Sequence, residues 1–237
     1  MLDRYGREID YIRISVTDRC NFRCIYCMPE EGVPMVPHQE ILSYDEITEL
    51  AEIFADLGIR KIKLTGGEPL VRRGLPSLVK KLKSVRGIEK VTLTTNGVFL
   101  ADLLGELKEA GIDGINLSLD TLDPEVFARI TRRRELEKVL EGLHEAMKYP
   151  EISLKINCVP LGWKEQDILS MAELARKYPV HVRYIEMMPI GLGRQFAPVG
   201  EEELLELLEK RYGKSRPCNK KLGNGPAHYY SFSGFLG

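Results

Sequence analysis

The chain has 237 residues, 43% of them hydrophobic and 29% charged, and its 34 basic and 35 acidic side chains give a formal net charge of −1. That suits one domain of α/β-barrel size, or such a domain with a short appendage, and offers no excess charge for nucleic acid or an anionic membrane surface. No apolar run approaches membrane-spanning length and the N-terminus lacks a signal-peptide core, so cytoplasm is the expected compartment.

Tyr11 to Val16 alternates apolar Ile12, Ile14 and Val16 with polar Arg13 and Ser15, which predicts a strand with one polar face. The loop from Thr17 to Leu42 follows, carrying Cys20, Cys24 and Cys27, and Ser43 then opens a helix with Glu46 at capping-box spacing. Ile47, Leu50, Ala51, Phe54 and Leu57 form that helix's apolar stripe, and Gly58 ends it. The unit then repeats. Strands are predicted at Ile59–Leu64, Lys90–Thr95, Gly114–Leu119, Ile152–Val159 and Val180–Met188. Helices are predicted near Pro76–Val85, Phe99–Ala110, from Asp123, at Leu136–Lys148, Glu165–Lys177 and Glu201–Arg211. This rhythm argues for a parallel sheet with crossover helices. Six units suggest an α/β fold of the partial (β/α)6 TIM-like barrel type over residues 1–212, with a doubly wound open sheet as the alternative. Residues 213–237, rich in Lys, Arg, Gly, Pro and Ser, read as the start of a C-terminal segment.

The polar positions share a face on successive strands: Arg13 and Ser15; Lys61, Lys63 and Thr65; Thr92, Thr94 and Asn96; Asn116, Ser118 and Asp120; Lys155 and Asn157. The opposite positions are almost all Ile, Leu or Val and must meet the helices, so the polar set points inward. Barrel interiors are ordinarily packed with branched apolar residues. A lumen of cations, hydroxyls and amides is costly unless solvated or paired, so it is expected to surround a polar ligand. Arg13, Lys61, Lys63 and Lys155 supply enough positive charge there for a polyphosphate. The run Arg132-Arg133-Arg134 reads instead as a solvated helix face.

Three of the 5 cysteines fall in the C-x3-C-x2-C loop, an arrangement that fits metal binding better than a disulfide framework. Thiolates hold both iron–sulfur clusters and zinc. Three of them leave one iron of a cubane open, whereas a closed zinc site needs a fourth ligand, for which His38 is the nearest candidate. The histidines are otherwise scattered, and Cys158 and Cys218 read as ordinary thiols. Gly66-Gly67-Glu68-Pro69 follows a strand and precedes a helix, so it is either a tight turn or a backbone surface for a ligand.

Together, Thr17-Asp18-Arg19-Cys20-Asn21-Phe22-Arg23-Cys24-Ile25-Tyr26-Cys27-Met28-Pro29, the Gly-Gly-Glu-Pro stretch, Thr94-Thr95-Asn96-Gly97, Asn116 to Asp120 and Lys155-Ile156-Asn157 resemble the radical S-adenosylmethionine (SAM) superfamily. The closer resemblance is to its GTP 3′,8-cyclase (MoaA) family of molybdenum cofactor biosynthesis, and it covers nearly the whole chain. It implies a [4Fe–4S] cluster on Cys20, Cys24 and Cys27, with SAM on the open iron. SAM contacts are implied for Tyr26 through its backbone, for Gly67, for Ser118, and for Met188, which stands beside Met187. Arg13, Thr94 and Lys155 match GTP contacts, and Lys63 stands where the family often has arginine. The implied chemistry is reductive cleavage of SAM and conversion of GTP to 3′,8-cyclo-7,8-dihydro-GTP, with an unidentified electron donor and no acid or base assigned. The family's second cysteine triplet and Gly-Gly terminus do not occur here, so either a fragment or a shortened relative is expected, its uncovered barrel side predicting instability or a homodimer. The alternatives are radical SAM chemistry on another substrate and an inactive or zinc-stabilised homologue.

Overall fold

Ile12, Ile14, Ile62, Leu64, Val91 and Leu93 recur at alternate positions, so burying them calls for strands with one apolar face. The computed structural model describes residues 2–219, 222–223, 225 and 227–237, and for His38 the backbone alone. Strands β1 (Tyr11–Ser15), β2 (Lys61–Thr65), β3 (Lys90–Thr95), β4 (Gly114–Ser118), β5 (Ser153–Cys158) and β6 (His181–Tyr184) form one sheet in sequential order. The registered pairs are parallel. With helical crossovers between the strands, this is the α/β architecture of the partial (β/α)6 barrel type.

The chain divides into two compact units. The first comprises Met1–Phe22, Gly32–Ser118 and Glu135–Leu154. It holds β1 to β4 with helices α1 (Tyr44–Asp56), α2 (Leu75–Ser84), α3 (Leu100–Glu109) and α5 (Leu136–Met147). Ile62, Leu64, Val91 and Leu93 are buried, together with Ile47 and Ala51 of α1, Leu78 and Leu82 of α2, Leu104 and Leu107 of α3, and Val139 and Leu143 of α5, while Ile12 and Ile14 of β1 are half-buried. The capping box forms as predicted: Glu46 N–H donates to Ser43 Oγ at 3.2 Å, and Ser43 N–H donates to Glu46 Oε2 at 2.7 Å. The apolar stripe of α1 differs from the prediction. Ile47, Ala51 and Ala55 face the core, at a strict four-residue step, while Leu50 and Leu57 are exposed on the flank. Register aligns Arg13 with Lys63 and Lys63 with Thr92, and places Thr94 beside Asn116. The polar set predicted for these strands therefore lies on one face.

The second unit comprises Arg23–Glu31, Leu119–Arg134 and Lys155–Gly237. It holds α4 (Pro124–Thr131), β5 from Lys155, β6, α6 (Ile168–Lys177), α7 (Glu201–Tyr212), and an antiparallel pair, β7 (Arg216–Pro217) with β8 (Tyr230–Ser231). Helix α6 starts three residues later than the expected Glu165, capped by the Asp167 carboxylate. The cause is Gln166, which turns inward and is buried. Its Oε1 accepts from Leu161 N–H at 2.7 Å, and its Nε2 donates to the Val159 and Asp120 carbonyls, each at 2.9 Å. Strand β6 ends at Tyr184 rather than Met188, because Met187 leaves the sheet to pack with Val126, Ile130 and Leu161. In residues 213–237 the two-residue strands were too short to show periodicity. Phe232 and Phe235 pack on Tyr212 of α7 with ring centroids 6.0 and 5.1 Å from it. Among the described residues no helix is long and apolar enough to cross a membrane.

Candidate active site

In the first unit the start of the cysteine loop is laced to the Gly-Gly-Glu-Pro turn. Gly67 N–H donates to Thr17 O and Glu68 N–H to Arg19 O, both at 2.7 Å. A Cβ on Gly67 would stand 2.2 Å from Arg19 O, so the two backbones approach in a way only glycine permits. Glu68 is 2% exposed, and its carboxylate accepts from Thr95 Oγ1 at 2.7 Å, Asn96 N–H at 2.6 Å and Leu70 N–H at 2.9 Å. Burial pushes its pKa up, against those three hydrogen bonds. Asn96 Nδ2 also donates to Asn21 Oδ1 at 2.8 Å, beside Cys20. The loop thus hangs from the C-terminal ends of β2 and β3. Phe22 N–H points at Cys20 Sγ, 3.4 Å away.

Arg13, Lys61, Lys63, Thr94 and Ser118 also belong to this unit. Arg13 is exposed, and the other four are partly buried. Lys61 pairs with Asp10 at 2.5 Å, so its charge is engaged locally. Lys63 Nζ lies 5.9 Å from the Tyr11 ring centroid, within cation–π range.

Cys24, Tyr26 and Cys27 belong to the second unit. Here the loop runs along the end of α4: Arg23 N–H donates to Thr131 O at 3.0 Å, and Ile25 N–H to Ile130 O at 2.9 Å. Cys27 and Met28 N–H both donate to Cys24 O at 2.9 Å, closing a tight turn. Arg132, just past α4, holds φ at 55° and donates from Nη1 to Arg23 O at 2.9 Å and Met28 O at 3.3 Å. This corrects the reading of the arginine run: Arg132 braces the cysteine loop, while Arg134 is an exposed partner of Glu125. An unusual backbone conformation at the helix end is what turns Arg132 inward, and sequence spacing carries no trace of it.

Ile25 and Tyr26 pack against the core of Val126, Ile130, Leu161 and Met187. Tyr26 Oη donates to Asp120 Oδ2 at 2.8 Å, and Asp120 Oδ1 accepts from Val159 N–H at 2.8 Å. Burial raises the Asp120 pKa to about 6, opposed by those two bonds. The Tyr26 hydroxyl is pushed well above its ordinary range, first by burial and then by the Asp120 charge. Burial also raises the Cys27 thiol. Met187 is buried and Met188 is 63% exposed, so of the two methionines only Met188 is open to a ligand.

Lys155 is buried, donates to the Leu222 carbonyl, and lies 5.6 Å from the centre of the Tyr229 ring. It aligns with His181, and Asn157 with Arg183. The Arg183 guanidinium donates to Asn157 Oδ1 from Nε at 3.0 Å and from Nη2 at 2.6 Å. Arg183 is a cation of the polar face that sequence reasoning missed, although the alternation His181, Arg183 in β6 signals it. Burial and the neighbouring Lys155 charge lower the His181 pKa.

None of the cysteines is in a disulfide. Among the described residues no group of three or more His, Cys, Asp or Glu is placed to hold a metal ion. The His38 side chain, the candidate fourth zinc ligand, lies outside the described residues. The fit to an iron–sulfur cluster therefore rests on donor chemistry: three thiols in one C-x3-C-x2-C loop, whose Asp18-Arg19 backbone leaves no room for a side chain on Gly67.

Comparison with known proteins settles the family. The Radical SAM superfamily profile matches residues 14–175. The chain is 47% identical over 238 residues to the GTP 3′,8-cyclase of Syntrophomonas wolfei, covering 99% of this chain and 73% of that protein. It is 45% identical over 234 residues to the GTP 3′,8-cyclase of Pelotomaculum thermopropionicum, covering 97% and 72%. The chain belongs to the radical SAM superfamily and, within it, to the GTP 3′,8-cyclase family. Radical SAM enzymes work with a [4Fe–4S] cluster and SAM. The fold agrees: Streptococcus suis SuiB bound to S-adenosylmethionine superposes with TM-score 0.66 at 16% identity, over 85% of this chain and 47% of that one. Methylornithine synthase PylB gives 0.63 at 17% identity, over 84% and 61%.

The supports of the radical SAM loop can be tested one at a time. Gly67→Ala drives a Cβ into Arg19 O and should cost about 2 kcal/mol or more in urea unfolding. Asp120 holds its proton more tightly folded than unfolded, so its contribution to stability is full below the ordinary aspartate value of 3.8 and is lost as pH rises through about 6. Relative to Asp120→Asn, the wild-type unfolding free energy should therefore fall by about 3 kcal/mol between those limits. A flat difference across that range would contradict the assignment.

Proposed function

We propose that Cys20, Cys24 and Cys27 hold a [4Fe–4S] cluster and that the chain converts GTP to 3′,8-cyclo-7,8-dihydro-GTP for molybdopterin synthesis. The observation that carries this reading is the lacing of the thiol loop to Gly67 and Glu68, in a chain 47% identical to a GTP 3′,8-cyclase. When bound, the cluster supplies the electron that cleaves SAM to methionine and a 5′-deoxyadenosyl radical; the protein supplies position, charge and shielding from water. The Gly67 backbone, the Tyr26 backbone, Ser118 and the exposed Met188 receive SAM. Arg13, Lys63, Thr94 and Lys155 receive the GTP, their charge opposing that of the triphosphate. Lys61, on the same face, joins them by exchanging its Asp10 partner for a phosphate oxygen. A separate electron donor, a cytoplasmic location and a homodimer complete the reading.

Anaerobic reconstitution with iron and sulfide, then reduction with SAM in the presence and absence of GTP, tests it by the yield of 5′-deoxyadenosine and of cyclised nucleotide. Cleavage that GTP stimulates, with loss of cluster in Cys24→Ala, is the expected result; an iron-free protein that leaves SAM intact refutes the proposal. Lys155→Ala should weaken GTP binding by about tenfold or more, the scale of one charge-assisted hydrogen bond, while SAM binding stays as in wild type. Equal losses for both ligands would contradict the assignment of Lys155 to GTP.

A further inference from the structure

The turn from Cys24 to Cys27 lies between backbone anchors at Arg23 and Ile25 and its own closing bonds to Cys24 O. Those bonds, with Arg132 on the Arg23 and Met28 carbonyls and Ile25 packed on the core, hold the ends of the turn, and the side chain at its centre fixes its tilt. That side chain is Tyr26, whose hydroxyl reaches a carboxylate only 7% exposed. The carboxylate is not free to follow it. Asp120 Oδ1 is held by Val159 N–H, at the end of β5. The Asp120 carbonyl in turn accepts from Gln166 Nε2 at 2.9 Å and faces Cys158 Sγ at 3.5 Å. With one oxygen and the carbonyl fixed, the second oxygen has one direction, and it points at Tyr26.

We propose that Asp120 is a positioning residue that sets the orientation of the Cys24–Cys27 turn through the Tyr26 hydroxyl, and so the presentation of the two thiols and the Tyr26 backbone. This rests on the functional reading above only for its consequence in SAM binding; the geometric part stands on the chain alone. A neutral acceptor would satisfy Val159 N–H equally well. A buried carboxylate carries a desolvation cost, and in return it makes a shorter and stronger bond to a hydroxyl than a neutral oxygen does. Such a bond confines an otherwise irregular loop.

The test uses the full chain as wild type, Tyr26→Phe, Asp120→Asn and the double variant. In metal-free protein, iodoacetamide modification of each thiol is followed by mass spectrometry. Cys158, with 0% exposure, reports global opening. Each single variant should raise the modification rates of Cys24 and Cys27 about tenfold, the scale of losing one hydrogen bond to a charged group, with Cys158 unchanged. The double variant should be no faster than the faster single one, because both changes break the same bond. In reconstituted protein, SAM affinity read from the electron paramagnetic resonance of the reduced cluster should fall by a similar factor with the same non-additivity. Unchanged Cys24 and Cys27 rates would overturn the proposal. So would rates that rise together with that of Cys158, or that multiply in the double variant. A wild type that assembles no cluster would defeat the functional reading alone, and the thiol rates would still decide the role of Asp120.

Discussion

The loop that carries Cys20, Cys24 and Cys27 has no helix or strand of its own, so its order must be imposed by neighbours. Here the imposing groups are two buried carboxylates and a pair of backbone contacts. In the first unit Glu68 gathers Leu70, Thr95 and Asn96, and the backbone of Gly67 and Glu68 carries Thr17 and Arg19. In the second, Asp120 gathers Tyr26 and Val159, while Arg132 closes over the Arg23 and Met28 carbonyls. Both carboxylates sit at strand ends, where backbone N–H groups leave the ladder and remain to be satisfied. Burial raises the pKa of each, and the hydrogen bonds that favour the ionised forms come from Leu70, Thr95 and Asn96 to Glu68, and from Val159 and the loop's own Tyr26 to Asp120. Stability of the fold and order of the loop are thus coupled through the same groups.

The sheet performs a different division of labour. One face of β2 to β4 is buried apolar surface, continued by the half-buried Ile12 and Ile14 of β1, and it supplies the cohesion. The other carries Arg13, Lys63, Thr92, Thr94 and Asn116 in register. On β5 and β6 the corresponding row is Lys155, Asn157, His181 and Arg183. Cations so placed repel one another unless something neutralises them. Lys61 is neutralised by Asp10, Lys155 is held by a carbonyl of residue 222, and Arg183 leans on an amide.

Much of this was legible in the sequence, because it depends on periods and spacings. The two-residue alternation of β1 to β5, the capping box at Ser43, the C-x3-C-x2-C loop and the Gly-Gly-Glu-Pro turn each follow from local chemistry, and the structure forms the elements they predict. What was not legible depends on direction rather than spacing. Arg132 looked like one charge in a run of three until its positive φ turned it onto the loop. Asp120 read as one more polar residue of β4, with no hint that its partner lies 94 positions away in the cysteine loop. Gln166 looked helical and was drawn out of the helix by three backbone groups. Arg183 was within reach, since its alternation with His181 matches that of the other strands.

The most direct test of the central claim is Mössbauer spectroscopy of the anaerobically reconstituted chain, recorded before and after addition of SAM. Three thiolate ligands on a cubane predict one iron distinct from the other three, with parameters that shift when the SAM amino and carboxylate groups bind it. A spectrum unchanged by SAM, or a protein that takes up zinc in place of iron and sulfide, would contradict the account.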